Sequence, residues 1–206
     1  MNEIFFSALI SLSATFASSK CIDKLYKKFF EELSFPNELA RRSRFRKIIL
    51  FASIFFCTFF LLKLPAPQNF YSTVAAIFLL IITVTDFEQQ IIFDKILFPF
   101  ALLGIISILH LNLSPIDHLL AAGLGGGFFL LLAFLTKNGI GGGDIKLIAC
   151  LGLWFGTEKL LSIVTTGIIF SGIAALFLIL FGKVSRKDFF AYGVYFNLVT
   201  IYFLLN

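Results

Sequence analysis

The residues best suited to chemistry in this sequence are two aspartates at the edges of long apolar runs. Asp86 closes the run FYSTVAAIFLLIITVTD, whereas Asp144 follows a glycine-rich turn, GIGGGD, and opens the run IKLIACLGLWFG. An Asp at the centre of a membrane helix costs about 2.5–3.5 kcal/mol on insertion scales, so such residues call for a reason. Two carboxylates brought together resist ionising at once: one keeps a proton and polarises a peptide carbonyl while the other activates water. Their protons would titrate as a pair. The glycines would supply unusual backbone angles and let an extended chain approach closely. A structural alternative stands beside this reading, with Asp86 a solvated boundary residue and Asp144 an N-cap of the helix after it.

The elements that must position these residues are membrane helices. Of 206 residues, 59% are hydrophobic and 14% charged, and 29 are phenylalanine; soluble domains usually carry roughly 25% charged residues. Apolar runs of about the length that crosses a ~30 Å hydrocarbon layer follow one another along the chain. They lack the period-two alternation of barrel strands, and backbone in hydrocarbon must bond to itself, so the expected fold is all-α, a polytopic helical membrane protein. The chain reads as a single membrane domain over residues 1–206 with about eight spans: 4–17, 48–64, 70–85, 96–111, 119–136, 145–155, 160–181 and 189–205. The first run follows Glu3 with no basic residue before it, unlike a signal peptide, and is expected to be retained.

Between the first two spans lies a basic segment, about residues 20–47, holding nine of the 17 lysines and arginines and expected to be a cytoplasmic loop. Threaded in that sense, the spans leave only Lys63 and Lys159 outside, which fixes the orientation and puts both termini outside. The run 145–155 is short enough to be re-entrant or half of a broken helix, an alternative that moves Lys183, Arg186 and Lys187 outside. In either topology an even number of crossings separates Asp86 from Asp144, so both face the cytoplasm.

Other candidates read more plainly. Cys21, Cys57 and Cys150 lie too far apart for a CxxC element or a zinc cluster, so no metal is expected. The net charge of +5 is set by topology, not by a nucleic-acid partner; the basic loop can also meet anionic lipid headgroups. Gly123, Gly125, Gly126 and Gly127 contain a G-x-x-x-G spacing that suits close helix packing. His110 and His118 fall toward the opposite membrane face from the two aspartates.

Longer motifs resemble a known family, the type IV prepilin peptidases and their archaeal preflagellin peptidase relatives. Bacterial members carry a pattern like D-x-D-x-x-x-L-P-D, and this chain has DFEQQIIFD from Asp86 to Asp94. A second family block reads like GxGxGDxKLxAxLGxWxG, and here GIGGGDIKLIACLGLWFG spans Gly139 to Gly156. YGVYF, starting at Tyr192, echoes a weaker C-terminal block. The resemblance implies that Asp86 and Asp144 are catalytic aspartates, that Gly139, Gly141 and Gly143 are the motif glycines, and that Lys146 occupies the family lysine position. Glu88 stands where a second Asp is frequent; Phe93 and Val194 replace prolines, which alters local loop shape.

The same resemblance implies an aspartic endopeptidase that removes the short basic leader of pilin-like or flagellin-like precursors at the cytoplasmic face of the membrane. No cofactor is implied. Glu88 and Asp94 are candidates for attracting a basic leader, or for supporting the aspartates. Many relatives also methylate the new N-terminus and carry two CxxC pairs in the first loop, where this chain has only Cys21, so methyl transfer has no support in the sequence. Two rival classes remain open: a small transporter that relays protons or cations through the carboxylates, and a silent scaffold that binds precursors without cutting them.

Overall fold

The computed structural model of the protein describes residues 2–137, 139–181 and 192–206, and every regular element among them is helical. The helices are α1 (Asn2–Lys28), α2 (Leu39–Arg42), α3 (Arg46–Leu61), α4 (Gln68–Gln89), α5 (Asp94–His110), α6 (Pro115–Leu135), α7 (Gly142–Leu180) and α8 (Tyr192–Leu205). Two 3₁₀ turns, Phe30–Glu32 and Pro36–Glu38, link α1 to α2. α1 from Ile4, α4, α6 and α7 are each long and apolar enough to cross a membrane. Lys183, Arg186 and Lys187, on which part of the expected orientation rests, lie outside the described residues.

The chain forms two compact units, residues 1–91 with 204–206, and residues 92–203. In the first unit, α1 presents Ser7, Ser11, Thr15, Ser18, Ile22 and Tyr26 to the interior, a helical stripe with steps of three and four residues. Ser11 Oγ lies 3.2 Å from Thr58 Oγ1 of α3. The outer face of the same helix carries Phe5, Leu12 and Phe16, the last 70% exposed. Small polar groups inside and large apolar ones outside invert the pattern of a soluble helix and suit a helix bathed in lipid.

α1 also runs beyond the expected end of the first span at Ala17, continuing to Lys28, so the basic segment at about residues 20–47 opens as helix. Its last turns are amphipathic: Ile22, Leu25 and Tyr26 are buried, while Lys20, Lys24, Lys27 and Lys28 are exposed. Charge density concealed that period, and the non-helical stretch is correspondingly shorter.

In the second unit, α6 begins at Pro115 behind Ser114, whose hydroxyl accepts from the Asp117 N–H at 3.4 Å. α7 is interrupted at Gly156, where φ 70° and ψ −178° lie outside the helical region. A Cβ there would stand 2.3 Å from Asp117 Oδ2, so glycine is needed for both its backbone and its size. Asp117 then acts as a cap for the second arm, accepting from the Thr157 N–H at 3.2 Å, and His118 Nδ1 lies 2.8 Å from the Leu153 carbonyl oxygen.

Both arms of α7 pack on α6. Gly152 meets Ala121 and Ala122, and Ala149 meets Gly126, so the first arm runs antiparallel to α6. Leu160 meets Gly125, and Gly167 meets Phe196, whose ring packs on Phe129, so the second arm runs the other way. The chain therefore reverses at Gly156, as expected if residues 145–155 and 160–181 are separate helices.

Candidate active site

Asp86 sits in the last turn of α4 and is only 4% exposed. It is buried in the first unit, which departs from the solvated-boundary alternative. The helix ends three residues later, where Gln90 adopts a left-handed conformation (φ 55°) and its N–H donates to the Asp86 carbonyl at 2.8 Å. Around this turn the first unit builds a polar network. Glu88, 3% exposed, receives Arg46 Nε at 2.9 Å on Oε1 and Arg46 Nη2 at 2.7 Å on Oε2. Tyr26 Oη donates to Glu88 Oε2 at 3.0 Å, Arg42 Nη1 donates to the Glu88 carbonyl at 3.2 Å, and Arg46 Nη1 also pairs with Asp23. Gln89 is fully buried and accepts from the Phe35 N–H at 2.9 Å.

Glu88 is thus enclosed by side chains of α1 and α3, a place that suits a supporting role more than contact with a basic leader. A carboxylate this buried needs a partner, and a bidentate guanidinium is the geometry that satisfies it best. Arg46 and Tyr26 were legible in the sequence only as parts of the basic segment at about residues 20–47; neither has spacing that points 42 or 62 residues ahead.

In the second unit, Asp144 lies in the first turn of α7. The N-cap is Gly141, with an extended backbone of φ −65° and ψ 139°, so Asp144 is three residues inside the helix and is not its N-cap. Its N–H donates to the Gly141 carbonyl at 3.0 Å. A carboxylate in that turn faces the positive end of the helix dipole.

The motif glycines act here through their missing side chains. A Cβ on Gly141 would stand 3.1 Å from Asp144 Oδ2, one on Gly143 3.0 Å from Ile92 Cβ, and one on Gly139 3.0 Å from Thr136 Oγ1. The expected unusual backbone angles are not found at these three: among the described glycines, positive φ occurs at Gly156. Asp94 and Lys146, predicted from separate motifs, are brought together, with Lys146 Nζ 2.7 and 2.8 Å from the two Asp94 oxygens. Both are well exposed, 68% for Asp94 and 57% for Lys146.

Of the remaining motif residues, Trp154 donates from Nε1 to the Phe100 carbonyl at 2.8 Å and stacks on the Phe100 ring. Cys57 and Cys150 are buried and Cys21 exposed, all as free thiols. Among the described residues no group of three His, Cys, Asp or Glu side chains has the arrangement of a metal site.

No solved structure matches the chain. Two curated proteins are similar to it, each named prepilin leader peptidase/N-methyltransferase. The one from Bacillus subtilis (strain 168) is 31% identical over 114 residues, 53% of this chain and 45% of that protein. The one from Neisseria gonorrhoeae is 31% identical over 122 residues, 56% of this chain and 41% of that protein. The chain thus spans less than half the length of either relative. A model of the type IV leader peptidase family matches residues 73–180, from within α4 to the end of α7, a stretch that includes Asp86, Asp94, Asp144 and the motif glycines. With more than half of its length in that match, the chain belongs to the type IV leader peptidase family.

Proposed function

We propose that the protein is a membrane aspartic endopeptidase that removes the short basic leader from type IV pilin-like or flagellin-like precursors at the cytoplasmic face of the inner membrane. The observation that carries this reading is the placement of two acidic residues at helix ends inside the family match: Asp86 buried in the last turn of α4, and Asp144 in the first turn of α7 above a glycine that leaves its carboxylate room. In the proposed reaction one ionised carboxylate takes a proton from water as the water attacks the scissile carbonyl. The other, protonated, donates to the carbonyl oxygen. Collapse of the tetrahedral adduct breaks the C–N bond, and the proton gained from water passes to the departing amine.

Precursor helix and enzyme share the membrane, so lipid is a partner of both, and nucleic acid plays no part. Asp94, held by Lys146 but mostly exposed, is the better placed of the two secondary acids to meet a basic leader. The reading claims the peptidase step alone and assigns no methyl transfer.

The test is cleavage by the purified protein, in lipid, of a peptide carrying a lysine-rich leader, a glycine and an apolar helix. Cleavage at the leader junction is expected. Failure to cut a panel of such precursors, together with proton flux that depends on Asp86 and Asp144, would replace this reading with a transporter.

A further inference from the structure

The network around Glu88 has a feature that stability alone does not explain. A buried carboxylate–guanidinium pair contributes little net stability, since desolvating both ions offsets their attraction, and an apolar pair of similar volume often does as well. Here the pair is two residues from Asp86, in the turn that ends α4, and it is closed by Tyr26 and Asp23 of α1. Residues i and i+2 of a helix do not face each other. Glu88 therefore holds one side of the turn while Asp86 points from another, and what the pair fixes is the rotation and height of the turn.

We propose that Arg46, Glu88 and Tyr26 are positioning residues for Asp86. The proposal rests on the reading of Asp86 as a catalytic acid. The arrangement suits the task in three ways. The guanidinium is rigid and planar, and its Nε and Nη2 grip the carboxylate through three contacts of 2.7–3.1 Å. Arg46 opens α3 and Tyr26 lies near the end of α1, so the end of α4 is referred to two other helices. Arg42, donating to the Glu88 carbonyl, and Gln89, bonded to Phe35, tie down the backbone of the same turn. A cavity of about 430 Å³, lined in part by Asp23, Lys27, Ser43 and Arg46, borders the network, so its outer edge meets solvent while its Glu88 end does not.

Loss of about 1 Å in the placement of a reacting group can lower a rate about 100-fold. The test compares the full-length protein with Arg46→Lys, Arg46→Met and the paired variant Arg46→Met/Glu88→Leu. The readouts are kcat and KM on the lysine-leader peptide, and Tm in the same lipid. Arg46→Met alone should lose both stability and turnover, because it strands a buried charge. The paired variant should recover most of the Tm that Arg46→Met loses, short of the parent by the cost of leaving the buried Tyr26 hydroxyl without Glu88, yet keep kcat about 10–100-fold down with KM within about twofold of the parent. Arg46→Lys keeps the charge without the bidentate grip, and should lower kcat at near-parent Tm; it decides the matter if the paired variant does not insert. Recovery of parent kcat by the paired variant, or parent kcat in Arg46→Lys, overturns the proposal. Asp86→Asn is run beside them: if it still cleaves normally, the catalytic reading of Asp86 has failed, whatever the Arg46 variants do.

Discussion

Gly152 offers a direct test of how the first arm of α7 seats on α6. A Cβ added there would lie 2.5 Å from the Ala122 nitrogen and 2.6 Å from the Ala121 carbonyl carbon, both backbone atoms that no rotamer change can move. Ordinary contact begins near 3.4 Å, so the two helices must separate by about 0.9 Å. Overpacking of this kind costs about 1–3 kcal/mol. The gain in helix propensity from Gly to Ala, about 0.5–1 kcal/mol, offsets part of it. The midpoints of the two ranges leave a net loss of about 1.25 kcal/mol, which corresponds to a fall in Tm of roughly 2–5 °C. Gly172→Ala is the control, because a Cβ at that position meets nothing within 4 Å. The single tryptophan, Trp154, packs on Phe100 of α5, so its emission during heating in detergent follows the unfolding of the second unit as a whole. The reasoning is refuted if Gly152→Ala melts at or above the parent temperature, or if Gly172→Ala falls as far.

Three further predictions concern charge, topology and metal. Breaking the exposed Asp94–Lys146 pair with Lys146→Ala should cost no more than about 1 kcal/mol of stability, and Asp94→Asn should raise KM for a lysine-rich leader more than it lowers kcat; an equal effect on an uncharged leader would contradict a role in leader attraction. Cysteines placed near Lys28, Lys95 and Lys137 should be labelled from the cytoplasmic side, and labelling of any one from outside would break the proposed orientation. Cleavage should survive a zinc chelator, since no Cys or His spacing suits the metal; loss of activity restored by added zinc would be the contrary result.

How much of this was legible in the sequence depended on whether the signal was local. Apolar runs placed α4, α5 and α6 to within a few residues, and the short polar gap GTEK at 156–159 marked the reversal of α7. The end of the first helix was set too early, at Ala17 and not Lys28, because a basic amphipathic helix end has the composition of a loop and only its three-and-four spacing tells them apart. Motif spacing placed Asp86 and Asp144 at helix ends and indicated that glycines must stand before Asp144. It did not show that their use is to leave room for Asp144, Ile92 and Thr136: packing brings Ile92 to Gly143, and the local course of the turn, which residue types alone do not give, brings the other two. Arg46 and Tyr26 were illegible for a stronger reason. Their partner Glu88 is supplied by another helix, and nothing in the local pattern of a basic loop or an apolar run marks a residue for a distant ion pair.

The measurement that bears most directly on the central claim is precursor cleavage by Asp86→Asn, Asp144→Asn and the double variant, each purified and reconstituted at equal abundance. Asparagine keeps the shape of aspartate and can hydrogen-bond, but it cannot exchange the proton that activation of water requires. Residues that act as one unit give losses that do not add. The account predicts that each single variant inserts normally, cleaves nothing above background and matches the double variant. Near-parent turnover by either single variant, in a protein whose parent cuts the same precursor, would contradict it.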